Sequence, residues 1–112
     1  MRILDTICDK QELSQMSTEF GADFLKAVVD VVLEKIAIDA ELHSDLESMM
    51  LDAGSSQENL WGINFYPRED ADLFIEFDSL INIRPKQNNR ARTIQDPEVE
   101  RKIVSVVNKW IK

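Results

Sequence analysis

The spacing of apolar residues along the chain predicts an alternation of short strands and helices. Ile3 to Ile7 form a short apolar run that is typical of a first strand. The segment from Asp9 to Glu12 then has the acid-x-x-Glu form that closes a helix N-terminus, and apolar residues recur at helical spacing up to Phe20. We therefore predict a strand followed by a helix over about residues 10–20.

A hairpin and a second helix are predicted next. Residues Lys26 to Asp39 are rich in Val and Ile, and Glu34-Lys35 is a polar interruption where two antiparallel strands could turn. In residues 42–53 a strand-like alternation competes with a helical face. We choose the helix because the segment has no β-branched residue, Ser44-x-x-Glu47 has the form of a capping box, and Gly54 is a natural stop.

The last third of the chain predicts a second antiparallel pair and a final helix. Trp61 to Tyr66 and Leu73 to Ile83 are aromatic and apolar with polar alternates, and Pro67 to Asp70 between them suit a turn. Asp96-Pro97 is a typical helix start. The predicted fold is α+β, with the order β-α-β-β-α-β-β-α and a mainly antiparallel sheet that has helices packed on one face.

Composition limits the class of protein. The chain has 112 residues, 44% hydrophobic and 30% charged, which suits one globular domain over residues 1–112. No apolar run approaches the length of a membrane span, and the first residues lack a secretory signal, so we expect a cytoplasmic protein. Cys8 is the only cysteine, which excludes an internal disulfide and a cysteine-based metal cage. We expect it to be a small, semi-buried hydrophobe rather than a reactive thiol.

The net charge of −8 is unevenly distributed. Residues 1–80 hold 18 acids and 5 bases, a net −13, whereas residues 81–112 hold 3 acids and 8 bases, a net +5. Such asymmetry suits neutralisation within the fold or across a subunit interface, which predicts a homo-oligomer. An acidic surface also suits a basic protein partner and disfavours binding of nucleic acid.

His43 is the only histidine, and on a helix it shares a face with Glu47. This pair is the candidate for catalysis, with Glu47 orienting an imidazole base, although the same pair is also typical of a solvated helix face. One histidine with carboxylates is an incomplete zinc site, so no metal is predicted. Phosphate-binding, dinucleotide-binding and nucleophile-elbow motifs are absent, and no cofactor is expected.

A loop dense with amide and guanidinium groups follows the fifth predicted strand. Such donors suit a carboxylate or phosphate, and the loop runs on to the start of the last helix. The alternative is that its arginines pair with the surplus acids of residues 1–80. The predicted ligand-binding residues are Asn82, Arg84, Gln87, Asn89 and Arg90.

The aromatic stretch around Gly62 is the candidate interface. Trp61 and Tyr66 are residue types that are favoured in interface cores, and a role in the internal core is the competing interpretation, particularly for Trp61.

Three motifs occur in order along the chain: Glu41-Leu42-His43-x-Asp45-x-Glu47, Gly54-Ser55-x-Gln57-Glu58-x-Leu60-Trp61-Gly62 and Ile81-Asn82-Ile83-Arg84-Pro85-x-Gln87-x-Asn89-Arg90. As a set they resemble a conserved bacterial family of small proteins known only as a domain of unknown function. The resemblance spans nearly the whole chain and implies no activity, cofactor or partner. Asp39-Ala40 stands where the resemblance implies a glycine pair, so a bend with positive φ is either made here by Asp39 or lost.

Three hypotheses of function follow. The first is a binding or interaction module that self-associates and accepts a small anionic ligand in its Arg/Asn-rich loop. The second is a small hydrolase or transferase in which His43 and Glu47 act on an anionic substrate held by Arg84 and Arg90, which requires these residues to meet in one pocket. The third is one component of a toxin–antitoxin-like regulatory pair, suggested by small size and acidity.

Overall fold

Five short strands pair into one antiparallel sheet in the computed structural model, which describes residues 1–112. The strands are β1 (Arg2–Ile3), β2 (Leu25–Asp30), β3 (Lys35–Ile38), β4 (Leu60–Phe65) and β5 (Ile75–Glu76). The helices are α1 (Lys10–Glu19), α2 (His43–Asp52), α3 (Ala71–Phe74) and α4 (Pro97–Trp110). The strands lie in the order β1-β3-β2-β4-β5. The predicted α+β class is confirmed, and no helix is long and apolar enough to cross a membrane.

The main core lies between one face of the sheet and the helices α1 and α4. Successive side chains of a strand point to opposite faces, so alternate residues of β2, β3 and β4 share this face. Leu13 of α1 and Ile103 of α4 are fully buried against them. The strand residues in this core are Leu25, Ala27, Val29, Ile36, Ile38, Trp61, Ile63 and Phe65.

Helix α2 covers the opposite face, where the core is much smaller. Leu46 and Met50 of α2 pack on Val28, Ala37 and Leu60. The prediction that the helices pack on one face is therefore wrong. Helices cover both faces because β2, β3 and β4 contain consecutive apolar residues. Such runs are typical of strands that are buried on both faces.

The predicted hairpin of residues 26–39 is confirmed, with its turn at residues 31–34 between β2 and β3. Asp39 follows β3 with a φ of +75°, so the bend with positive φ is made here by aspartate. Aspartate is one of the few residues that adopt positive φ at modest cost. This bend leads the chain towards the start of α2.

Two predicted strands are shorter than expected. β1 has two residues rather than the predicted Ile3 to Ile7, and β5 has two residues rather than Leu73 to Ile83. The start of the latter segment belongs to α3, and its end forms a 3₁₀ turn at Leu80–Asn82. The alternation of the sequence therefore predicted strand where the backbone turns away from the sheet.

Residues 77–94, which we name the edge loop, cover the part of β4 that β5 leaves unpaired. The side chain of Asn82 replaces a neighbouring strand there: its Oδ1 accepts from the amide of Gly62 at 2.8 Å, and its Nδ2 donates to the Gly62 carbonyl at 2.9 Å. Gly62 permits this approach because a Cβ at its position would lie 2.5 Å from the Cβ of Ser79.

Candidate functional site

A cleft of about 530 Å³ opens on the α2 face of the sheet, between the start of α2, the strands β2, β4 and β5, and the edge loop. Its polar lining consists of Lys26, His43, Ser44, Asn64, Glu76, Asp78, Ser79 and Arg92. Its apolar lining consists of Phe24, Leu42, Tyr66, Leu80 and Ile81. Small-ligand sites have volumes of about 300–1,000 Å³, and a few convergent polar groups fix the ligand's orientation in them.

A second cavity of comparable size lies elsewhere, along the outer side of α4. Its volume is about 570 Å³, and it is lined by Pro97, Glu100, Arg101, Val104, Ser105 and Asn108. None of these residues is buried. Because it lacks a buried polar group that could hold a ligand, we take the cleft on the α2 face as the candidate site.

The floor of the cleft is a row of three polar residues that face one another across adjacent strands. Lys26 of β2 is in register with Asn64 of β4, and Asn64 is in register with Glu76 of β5. Adjacent strands lie about 4.8 Å apart, so the row places a cation and an anion on either side of one amide. The row points away from the main core because its members alternate with buried Leu25 and Phe65.

Asn64 has an unpaired carbonyl oxygen. Its side chain is 5% exposed. Its Nδ2 donates to Glu76 Oε1 at 2.8 Å and to the carbonyl of Asp78 at 3.2 Å, but its Oδ1 accepts no hydrogen bond. Exchanging the two amide atoms would place Oδ1 against two acceptors, so the assignment follows from the surrounding groups. Such a buried orphan costs about 1–3 kcal/mol.

His43, the first residue of α2, is hydrogen-bonded to the strand next to Asn64. Its Nε2 lies 2.8 Å from the carbonyl oxygen of Ile63. A carbonyl only accepts, so Nε2 carries the proton. Burial lowers the pKa of His43 below its ordinary value, with the nearby Lys26 acting in the same direction. The imidazole is therefore neutral near pH 7, and its Nδ1 is a hydrogen-bond acceptor.

The N-terminus of α2 has no side-chain cap. Leu42 occupies the N-cap position and cannot accept a hydrogen bond with its side chain, so the predicted capping role of Ser44 is wrong. The amides of His43 and Ser44 have no acceptor within the chain. Lys26 reaches the same place, since its Nζ donates to the carbonyl of Glu41 at 2.7 Å. The helix dipole and the ammonium together favour a negative group here.

The charges on the opposite side of the cleft are arranged differently. Arg92 and Asp78 form a two-point ion pair, with distances of 2.7 and 3.3 Å. Glu76 has no cationic partner, and its Oε1 accepts from Asn64 and, at 3.3 Å, from the hydroxyl of Tyr66. Burial raises the pKa of Tyr66, with Glu76 as the next cause, so the hydroxyl stays a donor. The free Glu76 carboxylate therefore favours a positive group.

The predicted partnership of His43 with Glu47 is absent from the structure. Ile63, not Glu47, accepts from the imidazole, and Glu47 makes no hydrogen bond, with its Oε2 buried and unpaired. Glu47 instead acts on Arg84: burial lowers the pKa of Arg84, and Glu47 partly opposes that shift. The two members of the predicted catalytic pair thus have separate surroundings.

The predicted ligand-binding asparagines of the edge loop are occupied internally. Asn82 is fully buried, and besides pairing with Gly62 it donates to the carbonyl of Arg92 at 3.0 Å. Asn89 is 3% exposed; its Nδ2 donates to the Asn82 carbonyl at 2.7 Å, and its Oδ1 accepts from the amide of Gln95 at 2.8 Å. These side chains hold the loop together.

The other predicted donors of this loop also lie outside the cleft. Arg84 donates to the carbonyls of Gln57 and Leu60, and its guanidinium stacks over the ring of Trp61 at 4.0 Å. Gln87 donates to the carbonyl of Glu58 at 2.9 Å. Only the guanidinium of Arg90 is exposed without a partner in the chain.

The two aromatic residues predicted at an interface have different positions. Trp61 is 4% exposed and belongs to the main core, which matches the competing interpretation of its sequence. Tyr66 is half-buried, stacks against Phe24 with ring centroids 5.5 Å apart, and lines the cleft.

Of the predicted site residues, the cleft therefore contains His43 and Tyr66. It also contains Lys26, Asn64 and Glu76, which were not selected from the sequence. Their signal was the polar alternation within otherwise apolar strands. No group of three or more His, Cys, Asp or Glu side chains is arranged to hold a metal ion.

Comparison with known proteins identifies one family. The model of a family described as "Protein of unknown function (DUF5674)" matches residues 2–110. No curated protein and no solved structure matches the chain.

Proposed function

The chain belongs to the DUF5674 family of proteins of unknown function, and we propose that it is a binding protein for a small carboxylate that also carries a hydrogen-bond donor. The ligand occupies the cleft on the α2 face, with its carboxylate at the start of α2 and its donor at Asn64. The predicted small anionic ligand is thereby assigned to the cleft rather than to the edge loop.

The unpaired Oδ1 of Asn64 carries this proposal. Native proteins pair nearly all their buried polar atoms, and an exception needs a specific explanation. Asn64 lines a cleft of ligand size, and Glu76, which accepts from its Nδ2, is an exposed side chain that can change rotamer rapidly. A ligand donor that reaches Oδ1 removes the cost of leaving it unpaired.

The start of α2 supports the position of the carboxylate. The free amides of His43 and Ser44, the hydroxyl of Ser44 and the ammonium of Lys26 converge at one end of the cleft. Backbone amides at a helix N-terminus are a common site for carboxylates. Lys26 donates to the carbonyl of Glu41 near the start of α2 and is in register with Asn64, so both groups line the same cleft.

The test uses 2-hydroxy-4-methylpentanoate, which has a carboxylate, a hydroxyl donor and an apolar side chain. Titration followed by ¹H–¹⁵N NMR should shift the amides of His43 and Ser44 and the side-chain amide of Asn64. Lys26→Met and Asn64→Val should each weaken binding about tenfold. The control Asn108→Ala, on the outer side of α4, should bind as the parent does. Shifts confined to residues outside the cleft, or none at millimolar ligand, contradict the proposal.

The enzyme hypothesis is not carried forward. It required His43 and Glu47 to share a pocket with Arg84 and Arg90, and neither arginine lines the cleft. Within the present proposal, His43 instead fixes the start of α2 on β4 and offers Nδ1 as an acceptor.

Self-association and a basic partner remain predictions from the charge asymmetry. Two ion pairs, Arg92 with Asp78 and Lys109 with Glu34, join the basic end of the chain to the acidic part within one copy. Sedimentation equilibrium over a wide concentration range tests the homo-oligomer, and a monomer throughout contradicts it. The bacterial source and cytoplasmic compartment predicted above are likewise proposals.

A further inference from the structure

On the basis of the proposed function, we infer that the ligand is an α-amino acid with an apolar side chain, held with its carboxylate at the N-terminus of α2 and its ammonium between Asn64 and Glu76. This assigns the hydrogen-bond donor of the ligand to a charged group. The inference depends on the order of charges along the polar row and on the exposed apolar rim of the cleft.

The two ends of the row carry opposite charges that have no ionic partner. Lys26 on one side of Asn64 is bonded only to a carbonyl, and Glu76 on the other side accepts only from neutral donors. Neither residue takes part in an ion pair, although six ion pairs occur elsewhere in the chain. A zwitterion presents the complementary charge to each end at the same time.

An ammonium group meets the requirements of the Glu76 end better than a neutral donor does. It has three N–H donors, which are enough for both the unpaired Oδ1 of Asn64 and the carboxylate of Glu76. A hydrogen bond between charged groups is roughly twice as strong as a neutral one. A phosphate or a second carboxylate at this end would instead be repelled by Glu76.

The rim of the cleft favours an apolar side chain. Leu42 and Leu80, at the rim, are 53% and 66% exposed. Phe24 and Ile81 continue this apolar lining. A branched aliphatic side chain lying between Leu42 and Leu80 would remove their surface from water.

The experiment compares matched ligands by isothermal titration calorimetry. L-leucine and 2-hydroxy-4-methylpentanoate differ only in having an ammonium or a hydroxyl at the same carbon, and 3-methylbutylamine is leucine without its carboxylate. We expect leucine to bind at least about tenfold more tightly than either analogue. Glu76→Gln, which keeps an acceptor for Asn64, should lower the affinity for leucine about tenfold and leave that for the hydroxy acid unchanged. The control Glu69→Gln should change neither.

The outcomes separate the inference from the proposed function. If the hydroxy acid binds at the cleft as tightly as leucine, the ammonium contributes nothing, so the inference is overturned while the proposed function stands. If the amine binds as tightly as leucine, the carboxylate end is not used, and the inference and the proposed function are both overturned. If neither leucine nor the hydroxy acid binds, both fail.

Discussion

The edge loop and the cleft both contain asparagine side chains that are removed from solvent, and they use them in opposite ways. In the edge loop, Asn82 and Asn89 have partners for both the oxygen and the nitrogen of their amides. In the cleft, Asn64 has partners for its nitrogen alone. The residue type is the same and the burial is similar, so the difference lies in the surroundings of each amide. The chain itself closes the edge loop, whereas we propose that a ligand completes the cleft.

The sharpest test of this comparison removes the Asn82 side chain. Asn82→Ala leaves the amide and carbonyl of Gly62 without partners, and each buried unpaired group costs about 1–3 kcal/mol. The Arg92 carbonyl loses one of its two donors and keeps the Ser79 amide. We expect the free energy of unfolding in urea to fall by about 3 kcal/mol or more, and that of Asn108→Ala to stay within about 0.5 kcal/mol of the parent. A loss below about 1 kcal/mol for Asn82→Ala would mean that the edge loop does not depend on this amide.

A smaller loss is expected when the contact between the sheet and the edge loop is crowded. In Gly62→Ala the new Cβ meets Ser79 Cβ at 2.5 Å and Oγ at 2.6 Å, so the loop must move. Overpacking of this kind costs about 1–3 kcal/mol. Adding Ser79→Gly removes both atoms and should recover most of the stability. If the stability losses of Gly62→Ala and Ser79→Gly simply add in the double variant, the contact between these residues is not the cause of the first loss.

The comparison predicts that Asn64 is nearly dispensable for stability. Asn64→Val removes the orphaned oxygen and suits a strand, and the exposed Glu76 can turn to water. The loss of one long hydrogen bond to the Asp78 carbonyl is offset by removal of the orphan. We expect the free energy of unfolding to change by less than about 1 kcal/mol, while the affinity for the ligand falls about tenfold. Denaturation without ligand separates the two effects. A loss as large as that of Asn82→Ala would place Asn64 among the structural asparagines.

The smallest effect is the dependence of stability on pH at His43. Its pKa in the folded protein is below the ordinary value of 6.5, so the unfolded chain takes up a proton first as the pH falls through that value. Stability is therefore lost on acidification below about pH 6.5. His43→Gln keeps a donor for the Ile63 carbonyl but does not titrate. Its melting temperature should fall less than that of the parent between pH 7.5 and 5.5; an equal fall would contradict this role.

Helices were predictable from sequence where local signals are sufficient. Asp9 and Asp96 accept from the amides of Glu12 and Glu98, as their capping positions imply. The N-cap of α2 was misassigned because Ser44 resembles a capping residue. In the structure the chain bends at Asp39, and Leu42 occupies the N-cap position. The side of the sheet that each helix covers depends on contacts between distant residues, which periodicity does not contain.

The site was harder to predict for the same reason. The sequence shows an asparagine-rich loop, but Asn82 meets Gly62 only after β4 has formed, across 20 positions. Conversely, Lys26, Asn64 and Glu76 are far apart in sequence, and only the register of β2, β4 and β5 aligns them. The sequence does not distinguish an asparagine whose amide is bonded within the chain from one that we propose binds a ligand.

The Asn82 amide has a consequence for how the chain avoids aggregation. β4, Leu60–Phe65, is a six-residue strand that is buried throughout and carries no charge, which is the composition of segments that add to the strands of other molecules. Its free edge would be a template for such addition, but the Gly62 amide and carbonyl are already bonded to a side chain that cannot propagate a sheet. The strands at the two ends of the sheet, β1 and β5, have only two residues each. The fold therefore presents no long open strand to a neighbouring molecule. The side-chain amide of Asn82 blocks part of the free edge of β4, the strand whose composition favours aggregation.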